Sequence, residues 1–502
     1  MIKSKPTYER NSVRGILSNT FWSLVSTGFL AVTGVAINII VGNKLGEELF
    51  GVYSLSATIY ILVGMVAFIG IPFSLTKYTA EFIDNKEVNQ QFFTASVVAV
   101  ISTTTFVGII LYSLRYVIAE LFNTPDFVSI VPLISLGLPF LGLYRTGVSR
   151  LNGLREMRKM AYADSIRYIF YLIFTVLSVA IFNGGLYWAV LSLVLSDILV
   201  SPYLIWATRL IQEWNKNNFK LRLRRLGWFG GQVVLTRIIE ELDVRSALLM
   251  AGLFLSKTDI GLYSLAALIA SAISIIPQAI QKVTGPVMTE FYATNRIEEI
   301  NSLINQVMKI SAFLLTLITG FLILFFSDII HILYPLQLGF LEAEKIFYVL
   351  AFGAIFYGTT VSISPIFFGM ERPDISLRIA FIRVIVSVAV TLATIKPLGV
   401  IGVALGGAGT GFMIFGFWIH YMHKLLPIRV EWKAIVAIPI TGALMVVVIY
   451  ILSSAANFVW STYLIRIIGL GVLAALIFKL WQFEKFIAII RKSTIPFSTT
   501  NS

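Results

Sequence analysis

Long apolar stretches separated by short polar segments run along the whole chain. A bilayer core is about 30 Å thick and an α-helix rises about 1.5 Å per residue, so one crossing needs roughly 20 apolar residues. Backbone polar groups in lipid must be paired within their own segment, and the sequence lacks the alternating pattern of a membrane β-barrel. The pattern predicts an all-α integral membrane protein with fourteen transmembrane helices, near residues 16–40, 52–74, 91–114, 127–147, 162–182, 186–207, 228–256, 260–281, 308–334, 345–366, 376–395, 399–422, 434–452 and 460–481.

The composition supports this prediction. Hydrophobic residues make up 57% of the 502 residues, 38 of which are Phe, and the mean hydropathy is +0.86. A soluble globular chain is much less apolar. No A-x-A-like cleavage site follows the first apolar stretch, so we expect it to be a retained helix and not a signal peptide. The absence of cysteine from the sequence excludes disulfides, thiol catalysis and cysteine metal sites.

The net charge of +13 is distributed unevenly between the two sides of the predicted membrane segments. Most lysines and arginines fall in the even-numbered loops and both tails, which the positive-inside rule places in the cytoplasm. The opposite side holds Lys44, Arg115, Lys257, Lys345 and Lys396. We therefore expect a multi-pass protein of the cell membrane with both termini cytoplasmic. Topology and anionic lipid head groups account for the basic surplus, so we expect no nucleic-acid partner.

The chain contains a weak internal repeat. The segment "VGNKLGEELFGVYSLSA" (41–57) matches "AGLFLSKTDIGLYSLAA" (251–267), so that Gly51 aligns with Gly261 and Tyr53 with Tyr263. Further along, "GGLYWAVL" (184–191) matches "LGVIGVAL" (398–405). Six crossings separate equivalent points, which predicts two parallel six-helix bundles related by a pseudo-two-fold axis along the membrane normal. The predicted domains are residues 1–215, residues 216–427, and residues 428–502 with the last two helices and a cytoplasmic tail.

The segment "LTRIIEELDVRSALLM" (235–250) places Arg237, Glu240, Glu241, Asp243 and Arg245 inside a predicted crossing. The apolar flanks on either side are too short to span a bilayer alone, so these charges must lie at membrane depth. Arg237, Glu241 and Arg245 spread over about 80° of one helix face, and the i, i+4 spacing lets Glu241 pair with either arginine. Because a charge in hydrocarbon is costly, this face should line water or a partner.

Two interpretations of this stripe remain open. It is either a self-neutralised salt-bridge ladder that only fastens the seventh helix to its neighbours, or an anion-binding surface in a cavity between the two bundles. The planar fork of arginine pairs two phosphate oxygens at once, which favours anion binding. The repeat places helix one, "SNTFWSLVSTGFLAVTGVAIN", opposite this face, with hydroxyl and amide groups suited to sugar. The predicted substrate-binding residues are Arg237, Arg245, Glu241, Glu240, Thr27 and Asn38.

A few other ionisable residues fall inside predicted helices. Arg167 and Arg383 occupy equivalent positions near the ends of helices five and eleven, which favours snorkelling to the inner interface. Asp197 lies near the middle of helix six and is a candidate ion-coupling or arginine-pairing group, with a capping or packing role as the alternative. Asp243 is the second ion-coupling candidate.

Several kinds of chemistry find no support in the sequence. No G-x-x-x-x-G-K-[ST] loop occurs, so ATP hydrolysis by this chain is not expected. His331, His420 and His423 form no zinc-type cluster. We expect no metal and no cofactor beyond a coupling ion, Na⁺ or H⁺, and we expect a transporter and not an enzyme.

The sequence combines a repeated G-x-x-L-x-x-x-x-[FI]-G-x-Y-S-L motif, the "LGVIGVAL" segment, a basic loop between two six-helix halves, and fourteen crossings. Together these features resemble the polysaccharide-biosynthesis flippases of the multidrug/oligosaccharidyl-lipid/polysaccharide (MOP) exporter superfamily. The resemblance implies transport of a polyprenyl-phosphate-linked or polyprenyl-pyrophosphate-linked oligosaccharide from the inner to the outer leaflet. We expect a monomer among membrane lipids, and the two predicted bundles favour alternating access. The resemblance also implies that Arg237 and Arg245 line the cavity.

Three alternatives remain. A drug/cation antiporter of the same superfamily should present acidic residues without balancing arginines. A flippase for peptidoglycan precursor (lipid II) has the same fold. A membrane glycosyltransferase or polymerase usually carries a sizeable extramembrane loop, which this sequence lacks.

Overall fold

The computed structural model describes residues 13–212, 214–370, 372–426, 429–456 and 458–480, and all its regular elements in these ranges are helical. The two predicted cytoplasmic tails, 1–12 and 481–502, lie outside the described residues. The helices are α1 Val13–Ala67, α2 Ile71–Glu81, α3 Lys86–Ser113, α4 Arg115–Leu121, α5 Phe127–Gly153, α6 Met157–Thr175, α7 Gly185–Ala207, α8 Phe219–Phe254, α9 Lys257–Ile273, α10 Ile275–Ala293, α11 Ile297–Leu324, α12 Phe326–Leu333, α13 Ala343–Val361, α14 Pro365–Gly369, α15 Pro373–Leu398, α16 Val400–Leu425, α17 Trp432–Ser454 and α18 Val459–Leu480. A π-helical segment, Val176–Ile181, continues α6, and a 3-10 segment, Leu338–Glu342, precedes α13.

The predicted all-α membrane fold is confirmed, and the count of fourteen crossings is matched approximately. Within the described residues, twelve helical segments are long and apolar enough to cross a membrane. One of them, Val25–Ala67, has 43 residues, about twice the length of a single crossing. It bends at Gly46, whose φ of 71° and ψ of 179° are not helical. Counting its two arms separately and adding the charged helix α8 gives fourteen.

Some predicted crossings end elsewhere in the structure. The second was expected to continue to residue 74, but α1 ends at Ala67 and α2 begins at Ile71. Between them, Ile69 and Gly70 have positive φ values of 48° and 70°, a left-handed backbone that stops the helix. The eighth crossing is likewise broken, because α9 ends at Ile273 and α10 starts at Ile275. Apolar periodicity carried no signal for these breaks.

The described chain forms two compact units. Unit 1 comprises Met1–Ser264 and Leu333–Gly339, and unit 2 comprises Leu265–Ile332 and Phe340–Ser502. The units follow spatial proximity, whereas the predicted domains follow the sequence repeat, so the predicted domain boundaries stay a prediction. The charged helix α8 lies in unit 1.

In unit 1, α5 packs against α2, α3 and α7, and α1 packs against α6 and α7. The N-terminal half of α8 is fixed to α2 and α3. A Cβ atom on Gly230 would lie 2.7 Å from the Ile69 carbonyl oxygen, so the two backbones touch there. Ser74 Oγ donates to the Leu226 carbonyl at 2.9 Å, and Arg222 Nε donates to Gln91 Oε1 at 3.0 Å. These contacts hold α8 without help from its mid-helix charges.

Unit 2 has its core around α11, α13 and α16, with α15 packed on α16. The two C-terminal helices belong to this unit, because α17 packs on α11 and α18 packs on α17 and α11. Polar contacts secure the pair: Lys309 Nζ lies 2.6 Å from Glu431 Oε2, and Arg466 Nη1 lies 2.6 Å from Asp328 Oδ2.

Candidate anion-binding site

The mid-helix charges of α8 pair with one another along the helix. Arg237 Nη1 donates to Glu240 Oε2 at 2.7 Å, an i, i+3 pair whose side chains are 44% and 47% exposed. Arg245 Nε donates to Glu241 Oε1, an i, i+4 pair whose side chains are 25% and 23% exposed. The predicted i, i+4 pairing is therefore seen for Glu241 and Arg245, while Arg237 takes Glu240 as its partner.

Each arginine also touches one neighbouring helix. Arg245 Nη1 lies 3.4 Å from Thr58 Oγ1 of α1, and the guanidinium of Arg237 lies 4.8 Å from the centre of the Phe73 ring of α2. Sequence reasoning missed Thr58 and Phe73, because an apolar pattern does not say which residue of a neighbouring helix meets a given side chain. The cation–π contact uses the flat face of the Arg237 guanidinium and does not use the N–H groups at its edge.

This arrangement bears on the two interpretations of the stripe. Both described ion pairs lie within α8, as a self-neutralised ladder would have them, and the contacts with neighbouring helices are those with Thr58 and Phe73. The helix is fixed near Gly230 and Leu226, away from the charges. A guanidinium carries five N–H donors, and the contacts of Arg237 and Arg245 in the described structure use only some of them. The anion-binding interpretation relies on the donors that these contacts do not use.

The predicted residues of helix one lie apart from these contacts. Asn38 donates its side-chain amide to the Gly34 carbonyl of its own helix at 2.7 Å. Thr27 is exposed and lines a cavity of about 130 Å³ together with Ser26, Met157, Met160 and Asp164. The residue of α1 that meets an α8 arginine is Thr58 in the second arm, and the role of Thr27 and Asn38 stays a prediction.

Asp197 pairs with arginine in the structure. Arg167 donates to its two carboxylate oxygens, from Nε at 2.5 Å and from Nη2 at 3.3 Å. Tyr60 adds a hydrogen bond of 2.8 Å from α1. The Asp197 side chain is fully buried and that of Arg167 is 12% exposed. The interpretation of Arg167 as a snorkelling residue is wrong, because its guanidinium is held by Asp197. The ion-coupling role of Asp197 stays a prediction.

A second carboxylate in this part of unit 1 escaped the sequence analysis. Asp164 accepts from Tyr144 at 2.5 Å and from Ser26 at 3.4 Å, and it lines the cavity beside Thr27. Arg167, one turn further along α6, lies 4.8 Å from the Tyr144 ring centre. The i, i+3 spacing of Asp164 and Arg167 could have pointed to Asp164 as a buried polar group. The polar first turns of the helix concealed this pattern.

The remaining candidates are Asp243 and Arg383. Asp243 is half-buried on α8, and its coupling role stays a prediction. Arg383 lies in unit 2 with its guanidinium 3.8 Å from the centre of the Tyr357 ring.

The fold matches solved transporter structures over nearly the whole chain. The lipid II flippase MurJ in an inward closed conformation superposes with a TM-score of 0.71 at 16% identity, covering 92% of this chain and 99% of that one. An inward-facing multidrug resistance MATE family transporter of the MOP superfamily superposes with a TM-score of 0.64 at 15% identity, covering 79% and 95%. The protein is thus a multi-pass membrane protein with the fold of MOP superfamily transporters.

Comparison of the sequence with known families identifies the family within this fold class. The family model for polysaccharide biosynthesis proteins matches residues 16–292, more than half of the chain, and the MatE model matches residues 237–393. The chain belongs to the polysaccharide biosynthesis protein family, which confirms the predicted membership. A curated relative, the probable low-salt glycan biosynthesis flippase Agl15 of Haloferax volcanii, is 24% identical over 186 residues. That alignment covers 37% of this chain and 39% of the length of the relative.

Proposed function

We propose that this protein is a flippase that carries a polyprenyl-phosphate-linked or polyprenyl-pyrophosphate-linked oligosaccharide from the inner to the outer leaflet by alternating access. Its family, the flippase named among its relatives and its MOP-type fold support this proposal. A charged glycan head cannot cross hydrocarbon unaided, whereas its lipid tail can stay in the bilayer. The protein therefore needs a polar path for the head and a cationic group for the phosphate.

The observation that carries the proposal is the state of the two arginines on α8. Arg237 and Arg245 lie mid-helix in a chain of membrane-spanning helices, form their described ion pairs with glutamates of the same helix, and have N–H donors that these pairs do not use. Two guanidinium groups two turns apart suit one or two phosphates. Glu240 and Glu241 act as their counter-ions when no substrate is bound.

The proposal includes finer points. The protein acts in the cytoplasmic membrane with both termini inside, as a monomer, without catalysis and without a cofactor. Direction comes from a membrane potential or from a Na⁺ or H⁺ gradient. Asp197 and Asp243 are the coupling candidates, and the pairing of Asp197 with Arg167 favours a structural role for that carboxylate.

The MatE match and the MATE fold keep a drug/cation antiporter as a second candidate. Against it stand the arginines at the middle of α8, because a cation carrier should show carboxylates alone. The likeness to MurJ adds a lipid II flippase as a third candidate, which differs from our proposal only in the glycan.

Deleting the gene and analysing lipid-linked glycans by mass spectrometry tests the proposal. We expect a completed lipid-linked oligosaccharide to accumulate in the inner leaflet and the surface glycan to disappear. The wild-type gene should restore export, and R237A and R245A should not. The matched control is R296A, because Arg296 forms an i, i+3 pair with Glu299 with both side chains 45% exposed, much like Arg237 with Glu240.

Unchanged glycans together with new drug sensitivity in the deletion strain would favour the antiporter. Accumulation of lipid II would favour the peptidoglycan alternative. Full export by correctly inserted R237A and R245A proteins would show that the arginines do not bind the substrate.

A further inference from the structure

The repeated motif brings its two copies into direct contact. Gly51, in the copy on α1, touches Gly261, its aligned partner on α9. A Cβ atom on Gly51 would come within 2.6 Å of the Gly261 nitrogen, and one on Gly261 would overlap the Glu47 carbonyl oxygen. Equivalent residues meet in this way only where a two-fold axis passes between them. The contact therefore marks the pseudo-two-fold axis predicted from the repeat.

On one side of this glycine contact, the bent part of α1 around Gly46 holds the segment that follows α12. Asn43 donates its side-chain amide to the Leu333 carbonyl at 2.6 Å and accepts from the Leu336 backbone nitrogen at 3.3 Å. Gln337 returns a hydrogen bond of 3.4 Å to the Asn43 carbonyl. Glu47 packs so closely over Gly339 that a Cβ atom there would overlap its carboxylate.

On the other side, the roles of the repeats are exchanged. Lys257, at the start of the eighth crossing, pairs with Asp126 at 3.0 Å and with Glu48 at 3.5 Å. Asp126 lies in the loop after the third crossing. Lys257 aligns with Glu47 at the repeat offset of 210 (257 − 47). Asp126 precedes α5 and Leu336 precedes α13, the helices that follow the third and ninth crossings. Each repeat thus holds the corresponding loop of the other.

We propose that these crossed contacts form a latch that closes the extracytoplasmic end of the transport path and opens when the substrate is released. The latch consists of Asn43 with Leu333 and Leu336, Lys257 with Asp126 and Glu48, and the Gly51–Gly261 contact. The inference rests on the proposed alternating access. Its sidedness follows from the predicted topology, which places Lys44 and Lys257 outside.

The composition of the latch suits reversible closure. The ion pairs of Lys257 involve side chains that are 25% to 60% exposed, so each contributes little and separates readily. At the glycine contact the backbones of Gly51 and Gly261 meet directly, with no side chain of either residue between them. Because the two halves of the latch are related by the two-fold axis, they should form and break together.

The absence of cysteine from the sequence allows a direct test. The variants D126C/K257C and N43C/L336C place one cysteine pair in each half of the latch. The control K309C/E431C replaces an ion pair of 2.6 Å inside unit 2, between α11 and α17. Each variant is expressed in the deletion strain, cross-linked with a short thiol-reactive reagent, and assayed by pulse-labelling newly exported surface glycan.

We expect cross-linking of either latch pair to stop export, and reduction of a cleavable cross-link to restore it. The cross-linked control should export normally. The reduced latch variants serve as the folding check, because they should export before cross-linking. Normal export by latch-cross-linked protein would overturn the proposal.

This outcome is separable from that of the proposed function. If R245A abolishes export while cross-linked latch variants still export, the flippase stands and the latch does not. If R245A and R237A export normally while cross-linking blocks export, the latch stands and the arginine site fails. A membrane-impermeant thiol reagent added to intact cells should label L336C, and labelling only after the cells are opened would contradict the assigned side.

Discussion

Replacing Glu241 with glutamine should tighten anion binding. In the structure Glu241 occupies Arg245 Nε, so an incoming phosphate competes with a carboxylate already present. Exposed i, i+4 ion pairs are worth about 0.3–0.5 kcal/mol, and this pair is only about one-quarter exposed, with side chains 25% and 23% accessible. Removing the competitor should therefore release about 1 kcal/mol, or about a fivefold lower Kd.

The complementary variant is R245A. It removes a charge-assisted hydrogen-bond donor worth about 1.5–3 kcal/mol, so the Kd should rise about 10- to 140-fold. The Kd values of E241Q and R245A are measured by calorimetry on purified protein at fixed, low salt, with farnesyl diphosphate as the ligand. Farnesyl diphosphate carries the diphosphate and prenyl groups without a glycan.

The control for the carboxylate is E299Q. Glu299 pairs with Arg296 in an i, i+3 contact of 3.0 Å outside α8, so this change alters net charge equally without touching the site. The Kd should stay at the wild-type value. Equal or weaker binding by E241Q, or a matching gain in E299Q, would refute the idea that Glu241 is a resident counter-ion of Arg245.

Three further predictions concern unit 1. R167A should lower the free energy of unfolding by about 3–5 kcal/mol, because it leaves the buried Asp197 carboxylate without its ion-pair partner. The double variant R167A/D197A should recover much of that loss. Thermal unfolding in detergent measures both variants, and equal losses would argue against the pair. R245A should cost at most about 1 kcal/mol in the same assay, because its ion pair lies within one helix, and a loss as large as that of R167A would identify it as a structural residue. G261A should impair export more than G416A. A Cβ atom at Gly261 would overlap the Glu47 carbonyl oxygen, whereas the space around Gly416 is open. Export assays on equal amounts of membrane-inserted protein test this difference.

The sequence predicted those features that depend on a single helix. Apolar length located the crossings, and the i, i+4 spacing of Glu241 and Arg245 predicted their contact, because both follow from helix geometry alone. The equivalence of Gly51 and Gly261 was also visible as a repeat. Their physical contact was not, since a repeat establishes equivalence and not adjacency.

Features that depend on neighbouring helices could not be predicted. The partners Thr58 of Arg245 and Tyr60 of Asp197 lie far away in sequence and belong to apolar stretches with no distinguishing pattern. Asp164 was missed for a related reason. Asp164 lies in a polar first turn, yet in the fold it accepts a hydrogen bond from Tyr144 and lines a cavity. Helix packing places it there, and the sequence pattern does not show that packing.

Unit 1 holds two arginine systems whose difference follows from where their partners lie. Asp197 comes from another helix, so its pair with Arg167 fixes α6 to α7 and is unsuited to exchange. Glu241 comes from the helix of Arg245 itself, so it can be displaced without moving a helix. A carrier must also release what it binds, and a guanidinium without a counter-ion would hold a diphosphate too long. Glu241 offsets that attraction when it returns to Arg245. E241Q should therefore bind the lipid diphosphate more tightly and yet export glycan more slowly, whereas a residue that only neutralised charge would affect binding and export in the same direction.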